Sequence, residues 1–121
     1  MDPALSWLRA QEEEPLYVSE ISVFELYVGL FRISTAKGKA RLKRRTQDLE
    51  QVLTLVEVLP FERGASTQSA RLLAELMDQG VPVDARDVMI AGTALSKGIR
   101  KLLTRNVKHF ERIPGLTVES Y

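Results

Sequence analysis

Hydrophobic residues recur along most of the chain at the three- and four-residue spacing of amphipathic helices. This spacing predicts a first helix that begins at Asp2-Pro3 and runs through ALSWLRAQEE, because proline is well tolerated in a first turn. A second helix is predicted over about residues 20–33. The face of that helix predicted to be buried carries four large apolar residues: Ile21, Phe24, Val28 and Phe31.

Three further helices follow, and they differ in character. The first, over about residues 36–55, is strongly basic. The second, over residues 65–79, is amphipathic, and Gly80 closes it. Its predicted buried stripe is Ala70, Leu73 and Met77. The third follows VPVD, is apolar on nearly every side and stops at Gly98, so it is expected in the interior.

Short apolar segments between these helices predict strands at VEVLP (56–60), RKLLT (100–104) and LTVES (116–120). The segment RNVKHFERIPG is expected to be a loop with a short turn. Strands that alternate with long helices favour an α/β fold with a parallel sheet. The chain is long enough for one domain, residues 1–121, with a single core. Only three strands are visible, so the strand expected at the centre of such a sheet is missing.

Composition narrows the chemistry that the chain can perform. There is no cysteine, and His109 is the only histidine, which excludes thiolate metal sites and makes a poly-histidine site hard to build. A bound metal must therefore be held by carboxylates, which favours a hard ion such as Mg²⁺ or Mn²⁺. No apolar run is long enough to cross a bilayer, and the lack of cysteine fits a cytoplasmic protein.

The net charge of +1 conceals a segregation of charge. The segment KGKARLKRR, residues 37–45, carries six basic residues and no acidic one. Such a block can contact the phosphates of RNA or an acidic protein, and Lys43 and Arg44 are candidates for substrate binding. Taken on its own, the block is more simply explained as a solvated helix face.

Glu25 is the least expected acidic residue, because it lies within the apolar segment ISVFELYVGL. At helical spacing it falls at the border of the predicted buried stripe. Its neighbours one turn away, Ser22 and Gly29, are small and leave room for a ligand above the carboxylate. A partly buried, ionised carboxylate needs a partner charge or a metal, which favours a functional role over a surface one.

Two aspartates stand at the start of the apolar helix. Asp84 is predicted to cap it. Asp87 lies one turn further in, where a carboxylate also interacts well with the positive end of the helix dipole. It shares a face with small residues and is the better candidate for a functional carboxylate.

Polar residues follow the RKLLT strand, at the end where α/β folds place their sites. Thr104 and Asn106 are candidates for orienting a water molecule or a phosphate, although both residue types also favour turns. Arg105 and His109 are candidates for contacts with substrate, and a lone loop histidine is commonly a surface residue.

Three segments together resemble the motifs of PIN-domain proteins, specifically VapC-type toxins of toxin–antitoxin pairs: SEISVFELYVGL, VDARDVMIAGTALSKG and LLTRNVKHFERIPGLTVESY. The resemblance implies a three-layer α/β/α sandwich around a parallel sheet. It implies an endoribonuclease that uses Mg²⁺ or Mn²⁺, forms a homodimer and is neutralised by a small antitoxin. Glu25 and Asp87 match the family's metal-binding acids, and Asn106 and His109 fall in its last motif.

The chain departs from this family at its beginning. Family members open with a hydrophobic strand that ends in Asp-Thr or Asp-Ser, and that aspartate is a principal metal ligand. This chain opens instead on MDPALSWLRAQ. Two explanations are expected: the true start codon lies upstream and this sequence is truncated at its N-terminus, or the chain is a degenerate member of the family. A catalytically impaired binding module is thus an alternative to the ribonuclease. A DNA-binding regulator acting through residues 37–45 is a weaker one, because no helix-turn-helix signature accompanies the basic block.

Overall fold

The computed structural model describes residues 16–104 and 106–120, and leaves the side chains of residues 33–37 undescribed. The predicted first helix and Arg105 therefore lie outside the described residues. The described elements are, in chain order, β1 (Tyr17–Ser19), α1 (Glu20–Lys37), α2 (Lys39–Leu53), β2 (Glu57–Leu59), α3 (Arg63–Asp78), α4 (Ala85–Ser96), β3 (Lys101–Thr104), a 3-10 helix (Val107–Phe110) and β4 (Thr117–Ser120). None of the described helices is both long enough and apolar enough to span a bilayer.

The described strands form two parallel pairs. Strand β1 pairs with β2, with Val18 opposite Val58, and β3 pairs with β4, with Leu102 opposite Val118. Strands β1 and β3 lie close to each other, and the side chains of Leu16 and Leu103 form a small buried cluster there. The predicted parallel α/β architecture is present, but among the described residues it is divided into two short sheets.

The prediction of three strands was wrong, because β1 had been overlooked. It has only three residues, Tyr17–Ser19, and α1 begins at the very next residue. No glycine or proline separates the two elements, and only Ser19 and Glu20 interrupt the apolar pattern between strand and helix. The hydroxyl of Ser19 marks the transition instead, because it accepts a hydrogen bond from the backbone N–H of Ile21 at 3.0 Å.

Helix α4 lies at the centre of the fold, as its apolar sequence predicted. Seven of its twelve residues are buried, and most of the main hydrophobic cluster surrounds it. It packs closely on α3 at Gly92, where a Cβ atom would overlap the side chain of Ser69 and lie 2.8 Å from its Cα. Glycine is required there because the two helix backbones approach each other too closely for a side chain.

The predicted buried faces of α1 and α3 were wrong for most of their residues, although Ile21 of α1 is half-buried against the core. Phe24, Val28 and Phe31 are 57 %, 43 % and 55 % exposed. The residues of α1 that are buried lie on another side of the helix: Ser22, Val23 and Leu30. Helix α1 has apolar residues on more than one side, and periodicity alone cannot tell which side meets the core.

Helix α3 shows the same error. Met77 is 68 % exposed and Ala70 is exposed, whereas Leu73 is half-buried against the core. The buried residues of this helix are Ala65, Ser69, Leu72 and Leu76. Met77 follows Leu76 by one residue, so the predicted stripe was rotated by about 100° from the real one.

The basic segment forms helix α2, which is shorter than the predicted span of residues 36–55. Gly38 separates it from α1 with a φ angle of +88°, in a region that side chains disfavour. Every residue of α2 is described and none is buried. The helix packs back against α1, so the two form a hairpin on the outside of the fold.

Candidate active site

Asp87 lies in the first turn of α4, and only 8 % of the residue is exposed. The imidazole of His109 donates a hydrogen bond from Nδ1 to Asp87 Oδ2 at 3.1 Å. Burial raises the pKa of Asp87 above its ordinary value, and His109 opposes that rise. The carboxylate thus lies in a poorly solvated position, where the hydrogen bond from His109 and the charge of Arg86 favour its ionised form.

Asp84 caps the same helix. Its carboxylate accepts a hydrogen bond from the backbone N–H of Arg86 at 2.8 Å, which confirms the predicted capping role. Its charge also reaches the site, because it contributes to raising the pKa of both Asp87 and Glu25. Asp84 therefore caps the helix through a hydrogen bond and raises the pKa of the other two carboxylates through its charge.

Glu25 comes from the second turn of α1, and its side chain is 36 % exposed. The guanidinium of Arg86 lies 3.7 Å from Glu25 Oε2. Burial raises the pKa of Glu25, Arg86 lowers it, and the charge of Asp87 raises it again. Because Arg86 immediately precedes Asp87, its contact with Glu25 shows that the fold brings the start of α4 to this part of α1, although Glu25 and Asp87 are 62 residues apart (87 − 25).

Arg86 is the site residue that the sequence analysis missed. It lies between the two aspartates of VDARDV and forms ion pairs with both Glu25 and Asp84, the latter at 3.6 Å. The alternation of acidic and basic residues in DARD was the signal available in the sequence. It was not sufficient, because the partner on α1 can be identified only in the folded chain.

In the described part of the segment after β3, His109 contacts the site. His109, in the 3-10 helix, contacts Asp87, so this predicted substrate residue lies beside the carboxylates. The buried hydroxyl of Thr104 accepts a hydrogen bond from the backbone N–H of Asn106 at 3.2 Å, which is ordinary turn chemistry. Among the described residues, no hydrogen bond or ion pair joins Thr104 or Asn106 to Glu25 or Asp87.

The two basic candidates of α2 lie elsewhere. Lys43 and Arg44 are exposed on the outer helix of the hairpin. The cation with the largest effect on the pKa of Glu25 is Arg86, and neither Lys43 nor Arg44 contributes to the pKa of Glu25 or Asp87.

Whether these residues fit a divalent metal ion depends on the donors that they offer. Within residues 16–104 and 106–120, no group of three or more acidic, histidine or cysteine side chains could hold a metal ion. Glu25 and Asp87 supply two carboxylates from different helices, in an environment that burial makes unfavourable for negative charge. Mg²⁺ is commonly bound by one or two carboxylates and keeps several waters, so the pair fits an open, partly hydrated site.

Comparison with known proteins identifies the family. The sequence profile described as "PIN domain" matches residues 1–116. The chain belongs to the PIN-domain family. A tRNA(fMet)-specific endonuclease VapC of Salmonella typhimurium is 34 % identical over 86 % of this chain and 74 % of its own length. Ribonuclease VapC1 of Rickettsia felis is also 34 % identical, over 84 % of this chain and 73 % of its own.

The fold agrees with a solved structure of the same family. The crystal structure of DNA-bound VapBC from Salmonella typhimurium contains a chain that superimposes with a TM-score of 0.74 at 30 % identity. The match covers 95 % of this chain and 81 % of that one. The resemblance to VapC-type PIN domains and the α/β fold class are thereby confirmed. This chain is a PIN-domain protein of the VapC ribonuclease group.

Proposed function

We propose that this PIN-domain protein is a metal-dependent endoribonuclease and the toxin of a VapBC-type toxin–antitoxin pair. Glu25 and Asp87 hold Mg²⁺ or Mn²⁺, and the substrate is RNA. The observation that carries the proposal is that α1 and α4 bring these two partly buried carboxylates to one place, where Arg86 contacts Glu25 and His109 contacts Asp87. The ribonuclease names of its VapC relatives support the same activity.

Each residue of the site has a role in this proposal. Glu25 and Asp87 offer oxygen ligands, and a bound divalent ion offsets charge on the phosphate and lowers the pKa of the attacking water. Arg86 fixes the Glu25 carboxylate by its ion pair, and His109 fixes Asp87 by its hydrogen bond. Exposed parts of His109 and Asn106 lie where an RNA strand can contact them. Thr104 shapes the turn that positions this segment.

The direct test is cleavage of an RNA oligonucleotide by the purified chain in Mg²⁺ or Mn²⁺, with EDTA as the metal-free arm. Glu25→Gln and Asp87→Asn should each lower the rate more than about 100-fold, since even outer-shell partners of a metal ligand contribute 10–100-fold. Matched controls are Glu75→Gln and Asp78→Asn, two exposed carboxylates of α3. Cleavage that survives EDTA or both site variants would contradict the proposal.

A catalytically impaired module is the second candidate. It is favoured by the absence of a third acidic ligand among the described residues. In that case the chain binds RNA or a protein partner with no turnover in either metal. Turnover that copurifies with the wild-type chain and disappears in Asp87→Asn excludes this candidate.

Partners belong to the proposal as well. The solved relative from Salmonella is a VapBC complex, which supports an antitoxin as a partner of this chain. We place homodimerisation on the exposed apolar face of α1, at Phe24 and Val28, because exposed apolar patches commonly mark interaction sites. Light scattering should show a dimer for the wild type and a monomer for Phe24→Ser/Val28→Ser. Met77→Ser on α3 is the control, and a monomeric wild type contradicts this placement.

A further inference from the structure

Three arginines of α2 surround one hollow on the outside of the hairpin. The hollow has a volume of about 620 Å³ and is lined by Ala40, Arg41, Arg44, Arg45 and Asp48. At about 100° per residue, these five positions cover roughly 140° of the helix. Lys39 and Lys43 lie about 160° from Arg41, on another side. The structure thus divides the basic segment into an arginine face, defined as Arg41, Arg44 and Arg45, and a lysine side.

The arginine face carries an excess of positive charge, because three arginines line the hollow with a single described acidic residue, Asp48. All three arginines are exposed, and none forms an ion pair with another described residue. Arg41 is three and four residues from Arg44 and Arg45, so like charges occupy neighbouring positions on the helix surface and repel each other. The first turn of α2 also has no acidic residue, although cations near a helix N-terminus are unfavourable.

We infer that the arginine face binds the phosphates of single-stranded RNA and anchors the substrate outside the carboxylate site. This inference rests on the proposed ribonuclease function. Arginine guanidinium groups suit phosphate because they donate two parallel hydrogen bonds. An acidic protein fits less well, because stable protein interfaces have an apolar centre, and this hollow offers only Ala40 among charged residues.

The geometry of the α1–α2 hairpin gives the separation between the arginine face and Glu25 along the helix axes. Glu25 lies twelve residues before the end of α1 at Lys37 (37 − 25), and α2 packs back against α1 after Gly38. With a rise of 1.5 Å per residue, Arg41 and Arg45 lie roughly 9 to 15 Å from Glu25 along the helix axes. Along the helix axes, this separation is no longer than a few nucleotides of an RNA strand.

The test compares two charge-matched double variants of the same helix, Arg41→Gln/Arg45→Gln and Lys39→Gln/Lys43→Gln. Each removes two charges four residues apart. Binding of fluorescent oligouridylate is measured in EDTA over a range of salt concentrations, so that no cleavage is needed. The arginine variant should bind about 25-fold more weakly at 0.1 M salt. The salt slope, defined as the slope of the logarithm of the association constant against the logarithm of the salt concentration, should fall in magnitude by about 1.4, because each single-strand phosphate contact contributes about 0.7. The lysine variant should keep the wild-type slope.

The outcomes separate this inference from the proposed function. RNA binding that weakens in the arginine variant supports the inference even if the chain does not cleave RNA. Efficient cleavage with equal slopes for both variants overturns the inference and leaves the proposed function standing. The inference is also overturned if the chain binds duplex DNA more tightly than RNA and the arginine variant weakens that binding. Polyglutamate serves as a probe for an acidic protein, and an arginine variant that loses affinity for polyglutamate but not for RNA overturns the inference as well.

Discussion

Helices α4 and α2 differ in how far the fold buries them. In α4 seven residues are buried, including Asp87, and the helix contacts α3 closely at Gly92. In α2, which is described over its whole length, no residue is buried and the arginines have no ionic partners among the described residues. The buried helix perturbs the pKa of its carboxylate, whereas the exposed helix leaves its charges available to solvent and ligands. Burial therefore raises the pKa of Asp87 in α4, and exposure leaves the arginines of α2 in contact with solvent.

The largest expected effect is on α4. Gly92→Ala should destabilise the protein by about 2 kcal/mol, because the added methyl group overlaps the side chain of Ser69 and forces α3 and α4 apart. Urea unfolding measures the change. Gly29→Ala is the matched control, since a Cβ atom at this exposed helical position meets nothing within 4 Å. The control should be stabilised by about 0.5–1 kcal/mol, and equal effects of the two variants would show that the close approach at Gly92 is not real.

The next largest effect is expected at Gly38, the residue that separates α1 from α2. Gly38→Ala should cost about 1–2 kcal/mol, because the φ angle of +88° suits only glycine. Thermal unfolding gives the comparison, with Gly64→Ala in the first turn of α3 as a control whose φ angle is not positive. A Gly38→Ala protein as stable as the wild type would contradict the positive φ angle at this position.

Asp87→Asn should stabilise the metal-free protein while it abolishes cleavage. The pKa of Asp87 is raised on folding, so its ionisation costs stability progressively as the pH rises from the ordinary aspartate pKa through the folded-state pKa. The gain from asparagine is therefore full above the folded-state pKa and vanishes in acid. Thermal unfolding in EDTA at several pH values measures it. A variant less stable than the wild type at neutral pH and equal to it in acid contradicts the direction of the shift.

The smallest effect is expected on α2. Arg41→Gln/Arg45→Gln should raise the free energy of unfolding by about 0.3 kcal/mol, since it removes a repulsive pair four residues apart. The gain should shrink at high salt, because the charges are exposed and screened. Chemical unfolding at low and high salt provides the measurement. A loss of stability would mean that these arginines have stabilising partners within the fold.

Residue patterns predicted part of the fold well. The apolar run from Val88 to Leu95 predicted an interior helix, and Asp84 was predicted correctly as its cap. Strand β1 was missed because three residues leave no room for a period to be seen. The buried faces of α1 and α3 were assigned to the wrong sides, because a residue such as Phe24 has the same spacing whether it faces the core or solvent.

The candidate site divides in the same way. Glu25 and Asp87 could be chosen from the sequence, because acids within apolar segments are costly and need a reason. Their partners could not. Arg86 pairs with Glu25, and His109 with Asp87, only because α1, α4 and the 3-10 helix meet in space.

The sequence by itself determined the existence of the described α-helices, the cap at Asp84, the two unusual carboxylates and the block of positive charge. These depend on neighbours within one or two turns, which the order of residues specifies directly. The tertiary structure alone decided which helix faces are buried and which cation meets which carboxylate. Those outcomes depend on contacts between distant segments, where burial and Coulomb energies are set by packing rather than by spacing along the chain.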